Sequence, residues 1–236
     1  EMASTPVKLI DDLAGVDNYK TLFKEAFPDH VRSESSAITV ANVVSALAAF
    51  QTSLISLNSA YDRYALGDPS ALTKNQVIGL NVFRSFVARC SQCHTPPLFT
   101  NQQLAVIGTP EPEGLPRDVG AAKTFSSTKL RGAFKIPTLR NIANTSPYMH
   151  SGRFSSLREA AEFYTKGRGH AVPENEKLNL HWHISEPNLS HDELDRLVDF
   201  MEALNDEAFM PVIPERVPSG LLTGLQPDIL ATSSGD

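Results

Sequence analysis

Both cysteines of this 236-residue chain lie in one short segment, Cys90-Ser91-Gln92-Cys93-His94. This pattern is typical of covalent attachment of a c-type haem. Two thiols three residues apart lie on one face of a helical turn, where they can add to the two vinyl groups of a haem. The next residue, His94, then lies beneath the iron as its proximal ligand. The segment therefore predicts one haem c held by Cys90, Cys93 and His94.

Three other interpretations of this segment stay open on the residues alone. A structural zinc site would need about two further ligands. The candidates outside the motif are His170, His181, His183 and His191. A thioredoxin-like redox pair needs a βαβ context and has no need of His94. A structural disulfide is the third. The order of residues in this segment favours a covalent haem. Because haem is attached to c-type proteins outside the cytoplasm, we expect the periplasm as the compartment.

Composition excludes several classes of protein. Apolar residues make up 41% of the chain and charged residues 20%, which is ordinary for a folded globular domain. The 21 Lys and Arg against 27 Asp and Glu give a formal charge of −6. No basic cluster could follow a phosphate backbone. No apolar run approaches the roughly 20 residues that span a bilayer. We therefore expect neither a nucleic-acid partner nor a membrane span.

Helical periodicity dominates the sequence and predicts an all-α fold. Apolar spacing predicts helices over roughly 9–27 with a break near 15, 39–56, 73–90, 156–166 and 191–205. The 39–56 helix is expected to lie in the core. Candidate N-caps are Thr73, Ser155 or Ser156, and Ser190. Residues 95–135 contain five prolines and four glycines, which predict a long functional loop without regular structure.

Longer motifs resemble the di-haem cytochrome c peroxidases and their MauG-type relatives. They occur in the order usual for the C-terminal haem domain of that family: NSAYDRY at 58–64, Gly79-Leu80 with Phe83, FKIPTLRN at 134–141 and SPYMHSG at 146–152. The resemblance covers about residues 1–205. It implies a cytochrome c-like haem domain over 58–205 with long loops. An inter-domain helical segment over 1–57 would pack on that domain, and 206–236 would form an irregular, extended tail.

The family has two haem domains, whereas this chain has one Cys-x-x-Cys-His motif. Glu1-Met2 resembles the end of the inter-haem segment of the family. In the family, the N-terminal domain carries the second haem, which binds peroxide. We expect this domain immediately upstream of residue 1 or on a separate chain; the alternative is that it has been lost. The resemblance implies that Glu1 is the catalytic carboxylate that acts as acid or base on peroxide. It also implies a calcium ion held by the main-chain carbonyls of Thr145 and Pro147 and by an upstream Asn outside this chain.

The ligand opposite His94 sets the reduction potential of the haem iron and hence its function. Ordinary peroxidases of the family have a Met in the helix that corresponds to 156–166, but this helix contains no Met. Tyr164 occupies the matching position, as in the MauG-type enzymes, and the resemblance makes it the sixth ligand. On the residues alone, a packed aromatic on an amphipathic helix is the favoured interpretation of Tyr164. A phenolate favours oxidised iron, and a bound cation lowers the pKa of its own ligand. Met149 is the rival ligand.

The resemblance implies a MauG-like di-haem oxidoreductase that uses hydrogen peroxide. The six-coordinate haem of this chain would share oxidising equivalents and relay electrons from a partner protein or a cytochrome. A conventional cytochrome c peroxidase stays open, as does a mono-haem electron carrier with His94 and Met149 as ligands. His150 is expected to be structural or a relay. Trp182, flanked by two histidines, is expected on a solvent-facing loop or partner-contact surface, with a metal site as the alternative.

Overall fold

The computed structural model describes residues 4–28, 37–166, 177–182, 184, 187–206 and 212–223. The chain divides into two compact units, one formed by residues 1–55 with 210–236 and the other by residues 56–209. Helices dominate the described structure, as the periodicity predicts. Within the ranges given above, no helix is long and apolar enough to cross a membrane. The domain limits implied by the resemblance stay a prediction.

The described part of the first unit contains three helices: α1 Pro6–Ala14, α2 Asp17–Ala26 and α3 Val40–Ser53. Thr39 caps α3 by accepting a hydrogen bond from a main-chain N–H three residues on. The helix forms as predicted, but it is not a core helix in the described structure. Val43 is buried, whereas Val44, Leu47 and Phe50 are exposed. Its apolar face has no cover among the residues that the structure describes.

The described part of the second unit contains six helices: α4 Ala60–Ala65, α5 Lys74–Phe83, α6 Cys90–Cys93, α7 Ala121–Phe125, α8 Leu157–Phe163 and α9 His191–Glu202. Thr73, Ser156 and Ser190 cap α5, α8 and α9, as the sequence predicts. Each forms a reciprocal capping box with the Gln or Glu three residues further on. These local hydrogen bonds fix where the three helices begin.

The crossing of α5 over α9 lies at the centre of the second unit. A Cβ built on the buried Gly79 would lie 1.9 Å from the carbonyl oxygen of Arg196 and 2.8 Å from Cβ of Phe200. Only a glycine allows two helices to approach this closely. Phe83 and Phe200 pack beside the crossing with ring centroids 5.1 Å apart. The buried core around them contains Phe99, Leu139, Tyr148, Leu157, Ala161, Leu194, Leu197, Met201 and Leu204.

Residues 95–135 form the long loop that the prolines and glycines predict, but this loop also contains α7 and a small sheet. Two antiparallel three-residue strands, β1 Leu104–Val106 and β2 Ala133–Lys135, pair within it. Three residues are too few to show the alternation by which a strand is predicted. The pairing continues as Ile136 donates its N–H to the carbonyl of Gln103, 2.9 Å away. The two ends of the loop therefore lie side by side.

A buried ion pair joins α4 to the far end of this loop. Both guanidinium Nη atoms of Arg140 donate hydrogen bonds to the Asp62 carboxylate, each at 2.7 Å. The two side chains expose only 6% and 11% of their surfaces. The main-chain N–H and the hydroxyl of Ser59 also donate to Asp62, at 2.8 and 2.7 Å. This bidentate pair has the geometry that makes a buried charge tolerable, because each charged group is hydrogen-bonded.

We predict that Gly79→Ala destabilises the fold through the α5–α9 crossing. The added methyl group meets main-chain atoms of Arg196, which cannot move aside as a side chain can. The free energy of unfolding should fall by about 3 kcal/mol or more, and Tm by about 10 °C. Asn75→Ala, at an exposed position of the same helix, is the control and should leave Tm nearly unchanged. Equal Tm values for both variants would contradict the close crossing.

We predict a pH-dependent contribution of the Asp62–Arg140 pair to stability. Burial raises the pKa of Asp62, but hydrogen bonds from Arg140 and Ser59 outweigh it and lower that pKa below its ordinary value. The contribution is therefore fully present above the unfolded pKa of about 4 and is lost as the pH falls through the lower folded value. Urea unfolding should show a deficit for Asp62→Asn at pH 7 that shrinks below about pH 4. A deficit independent of pH would contradict the prediction.

Candidate haem site

The two cysteines begin and end α6, a single helical turn, so that their thiols lie on the same side. Both thiols are free, which removes the support for a structural disulfide. Burial raises the pKa of Cys90 to about 12, with a smaller contribution from the charge of Cys93, and burial also raises the pKa of Cys93. Redox-active pairs have lowered thiol pKa values instead. The pair is therefore unlike a thioredoxin-type centre.

His94 follows α6 and is held through one ring nitrogen. Its Nδ1 lies 3.1 Å from the carbonyl oxygen of Phe99 and 3.2 Å from that of Pro137. Carbonyls only accept hydrogen bonds, so Nδ1 carries the proton and the neutral ring keeps the lone pair of Nε2. Burial lowers the pKa of His94, although the two carbonyl hydrogen bonds partly oppose this. His94 is therefore a neutral imidazole with Nε2 available as an iron ligand.

The two segments that supply these carbonyls are joined to each other by side-chain hydrogen bonds. The Thr138 hydroxyl donates to the carbonyl of Leu98 at 2.5 Å, and Arg140 Nε donates to the carbonyl of Pro97 at 2.8 Å. The guanidinium carbon of Arg140 also lies 5.6 Å from the centre of the Phe99 ring. These hydrogen bonds were not predicted from the sequence. The signal that could have found them is one acidic and one basic residue in two of the family-like motifs, Asp62 and Arg140.

Tyr164 lies where α8 gives way to the 3-10 turn Tyr164–Lys166. Its ring meets that of Phe163 edge to face, with centroids 5.3 Å apart. Burial raises the pKa of its phenol, and the charges of Cys90 and Cys93 raise it further. None of the described residues forms a hydrogen bond with the Tyr164 hydroxyl, so its oxygen is available to another ligand.

The donor set fits a c-type haem. The chain supplies two thiols on one helical turn, a neutral imidazole directly after that turn with Nε2 unprotonated, and a buried phenol, which are the groups that the sequence assigns to covalent attachment and iron ligation. Zinc would need a compact group of three or more metal-binding side chains. The described ranges contain no such group of His, Cys, Asp or Glu. His170 and His183 lie outside those ranges.

Met149, the rival ligand, lies in a tight turn of the SPYMHSG motif. Its φ of 68° places it in the left-handed region, and its carbonyl accepts a hydrogen bond from Gly152 at 3.3 Å. The residues on either side of the turn, Tyr148 and Phe154, form an antiparallel bridge. Met149 is half-buried. Its choice as a ligand in place of Tyr164 stays a question for experiment.

His150 packs away from solvent although its motif forms a surface turn. Its ring stacks on Phe134 with centroids 3.7 Å apart, and its Nε2 lies 2.9 Å from Oε1 of Glu111. The side chains of this pair expose 14% and 11% of their surfaces, whereas the residue His150 as a whole is exposed. Burial raises the pKa of Glu111, but hydrogen bonds from His150 and the Asp118 N–H lower it overall. These contacts give His150 a structural role in joining its turn to the long loop.

The remaining predicted residues have different positions. Glu1 lies outside the described residues. Thr145 and Pro147 are exposed, directly after the 3-10 turn Ile142–Asn144, and no described residue donates a hydrogen bond to either carbonyl oxygen. Both carbonyls are therefore available to a calcium ion. The side chain of Trp182 is 70% exposed, on a segment that pairs with β1 through the His181 N–H and the Val106 carbonyl at 2.8 Å.

Comparison with known proteins gives consistent relatives. The family model for di-haem cytochrome c peroxidase matches residues 1–70. The chain is 33% identical over 215 residues to the methylamine utilization protein MauG of Methylorubrum extorquens, covering 91% of this chain and 57% of that protein. It is 29% identical to the cytochrome c551 peroxidase of Nitrosomonas europaea, covering 91% and 58%. The chain thus spans little more than half the length of these relatives.

Solved structures agree with these relatives. A MauG-like protein associated with microbial copper homeostasis superposes with a TM-score of 0.69 at 26% identity, covering 88% of this chain and 65% of that structure. The di-haem peroxidase BthA of Burkholderia thailandensis shares the fold, with a TM-score of 0.61 at 21% identity, covering 93% and 63%. The resemblance drawn from the motifs is confirmed. The chain is similar to the di-haem cytochrome c peroxidases and the MauG proteins over most of its length.

Proposed function

We propose that this chain carries one covalent haem c in a cytochrome c-like domain and is the electron-sharing part of a di-haem oxidoreductase that uses hydrogen peroxide. Cys90 and Cys93 attach the haem, and His94 and Tyr164 are its axial ligands. When bound, the haem supplies one-electron chemistry. The observation that supports the proposal is the helical turn that carries both thiols, followed by a His94 ring whose Nδ1 is held by two main-chain carbonyls and whose Nε2 is free.

As ligands, His94 and Tyr164 would both stabilise the oxidised state of the haem iron. His94 donates its Nδ1 proton to two carbonyls, which makes Nε2 a better donor. The Tyr164 phenol loses its proton when it binds a cation and then supplies a hard anionic oxygen. This combination supports a MauG-like role, in which oxidising equivalents pass to a partner protein.

A mono-haem electron carrier, with His94 and Met149 as the iron ligands, is the second candidate. The observation that favours it is Met149, a half-buried thioether in the family-like SPYMHSG turn. A thioether ligand stabilises reduced iron and raises the potential, which suits electron uptake from a cytochrome. Ligation by Tyr164 and ligation by Met149 therefore predict two different functions. Identifying the axial ligand distinguishes these functions.

The proposal extends to partners that this chain does not contain. A second haem domain, on the same polypeptide or on another, would bind peroxide, with Glu1 as its acid–base carboxylate and a calcium ion on the Thr145 and Pro147 carbonyls. The relatives are nearly twice as long as the matched region. The apolar face of α3 that the described residues leave exposed is available to such a partner. Covalent haem attachment favours the periplasm as the location.

Covalent attachment is tested by mass. Expressed with a c-type haem maturation system, the chain should gain the mass of one haem and retain its haem colour under denaturing conditions, because two thioether bonds hold the group. Cys90→Ala combined with Cys93→Ala should abolish the covalent gain. The matched control is Ser91→Ala, which changes a residue of the same turn and leaves both thiols. An unmodified wild-type chain would contradict the proposal.

Axial ligation is tested by comparing Tyr164→Phe, Tyr164→Met and Met149→Leu in the haem-loaded protein. If the phenol oxygen is the ligand, both changes at Tyr164 alter the optical spectrum, and Tyr164→Met raises the midpoint potential because a thioether favours reduced iron. Met149→Leu should leave the spectrum and the potential unchanged. The opposite pattern, with Met149→Leu changing both properties and Tyr164→Phe neither, would support the electron-carrier alternative.

A further inference from the structure

We propose that Arg140 is a positioning residue for the proximal histidine. Its guanidinium fixes the segment after the cysteine motif, so that two main-chain carbonyls share the Nδ1 proton of His94. This inference rests on the proposed function in one respect, the assignment of His94 as the iron ligand. Arg140 does not touch that ligand and acts only through the main chain between them.

The guanidinium of Arg140 bonds in two directions at once. Two of its nitrogens donate to the Asp62 carboxylate at 2.7 Å, and the third, Nε, donates to the carbonyl of Pro97 at 2.8 Å. The planar fork of arginine can make all three bonds together, whereas the single ammonium of lysine cannot match this geometry. Asp62 is in turn fixed at the start of α4 by Ser59. The buried pair therefore anchors the Pro97 carbonyl to the helical framework.

The anchored carbonyl lies two residues from the one that bonds His94. Phe99 is fully buried, its ring lies beneath the Arg140 guanidinium, and its carbonyl oxygen accepts from Nδ1. Thr138, two residues before Arg140, supplies a second tie through its hydroxyl to the carbonyl of Leu98. The other acceptor, Pro137, precedes Thr138 in the chain. Arg140 and Thr138 thus fix the positions of both carbonyl oxygens that accept the Nδ1 hydrogen bond of His94.

This arrangement has a chemical consequence beyond stability. A neutral carbonyl that accepts the Nδ1 proton fixes the tautomer and raises the basicity of Nε2 as a ligand. A more basic imidazole favours oxidised iron over reduced iron. Loosening the 96–100 segment lengthens these hydrogen bonds, and the bound iron then becomes easier to reduce. A purely structural ion pair would change the unfolding free energy without moving the potential.

The test compares Arg140→Lys, Thr138→Val and Ser190→Ala in the haem-loaded full chain. Arg140→Lys keeps the charge beside Asp62 but loses the bond to Pro97, and Thr138→Val removes the tie to Leu98 while the ion pair remains. Ser190→Ala is the control, because it removes the N-cap of α9 and lowers stability without touching the segment. Each variant is examined for covalent haem by mass, for Tm, and for midpoint potential by optical redox titration.

We expect both loop variants to retain covalent haem and to shift the potential upward. At a fixed applied potential, the ratio of reduced to oxidised protein should rise on the order of tenfold, the scale of outer-shell hydrogen-bond effects. Ser190→Ala should lower Tm and leave this ratio unchanged. Thr138→Val, which spares the buried charges, keeps the test decisive if Arg140→Lys fails to fold.

Three results would overturn the inference. Arg140→Lys and Thr138→Val could retain haem and lower Tm but leave the potential unchanged. That result would show that Arg140 has only a structural role. An equal shift of potential in Ser190→Ala would show that general destabilisation, and not the loop, sets the potential. A wild-type chain without covalent haem would contradict the proposed function, and the inference with it. The first two results contradict the inference alone, because wild-type haem attachment is measured in the same series.

Discussion

The bidentate ion pair between Asp62 and Arg140 is the interaction on which the candidate haem site depends. It joins α4 to the end of a long loop whose prolines and glycines give it little regular structure of its own. A buried pair contributes little net stability over apolar residues, but losing one partner is costly. Its value here is geometric, because the same guanidinium reaches the main chain next to the proximal histidine.

The site combines two kinds of support. The α5–α9 crossing is rigid because Gly79 brings main-chain atoms into contact, and it carries the aromatic core around Phe83, Phe99 and Phe200. The ligand segments are held by hydrogen bonds to main-chain carbonyls. His94 follows α6 directly, and Tyr164 lies at the end of α8.

Much of this organisation was predictable from sequence. Periodic apolar residues and the Thr and Ser caps located the helices, because capping and amphipathic packing are local properties. The motif identified Cys90, Cys93 and His94 because their chemistry needs that spacing. The strands of the long loop and the contacts of Arg140 could not be predicted, since they depend on pairing between residues 27 to 78 positions apart. The exposed face of α3 was missed for a similar reason, because apolarity does not state which partner covers it.

Resonance Raman spectroscopy of the ferric haem-loaded protein, with and without ring-deuterated tyrosine, tests the central claim most directly. If Tyr164 closes the site opposite His94, vibrations of an iron-bound phenolate appear, shift with deuteration and vanish in Tyr164→Phe. The shift on deuteration assigns the vibrations to a tyrosine ring, and their loss in Tyr164→Phe assigns them to Tyr164. A spectrum without isotope-sensitive phenolate vibrations, unchanged in Tyr164→Phe, would contradict the account and exclude tyrosine as the ligand of this iron.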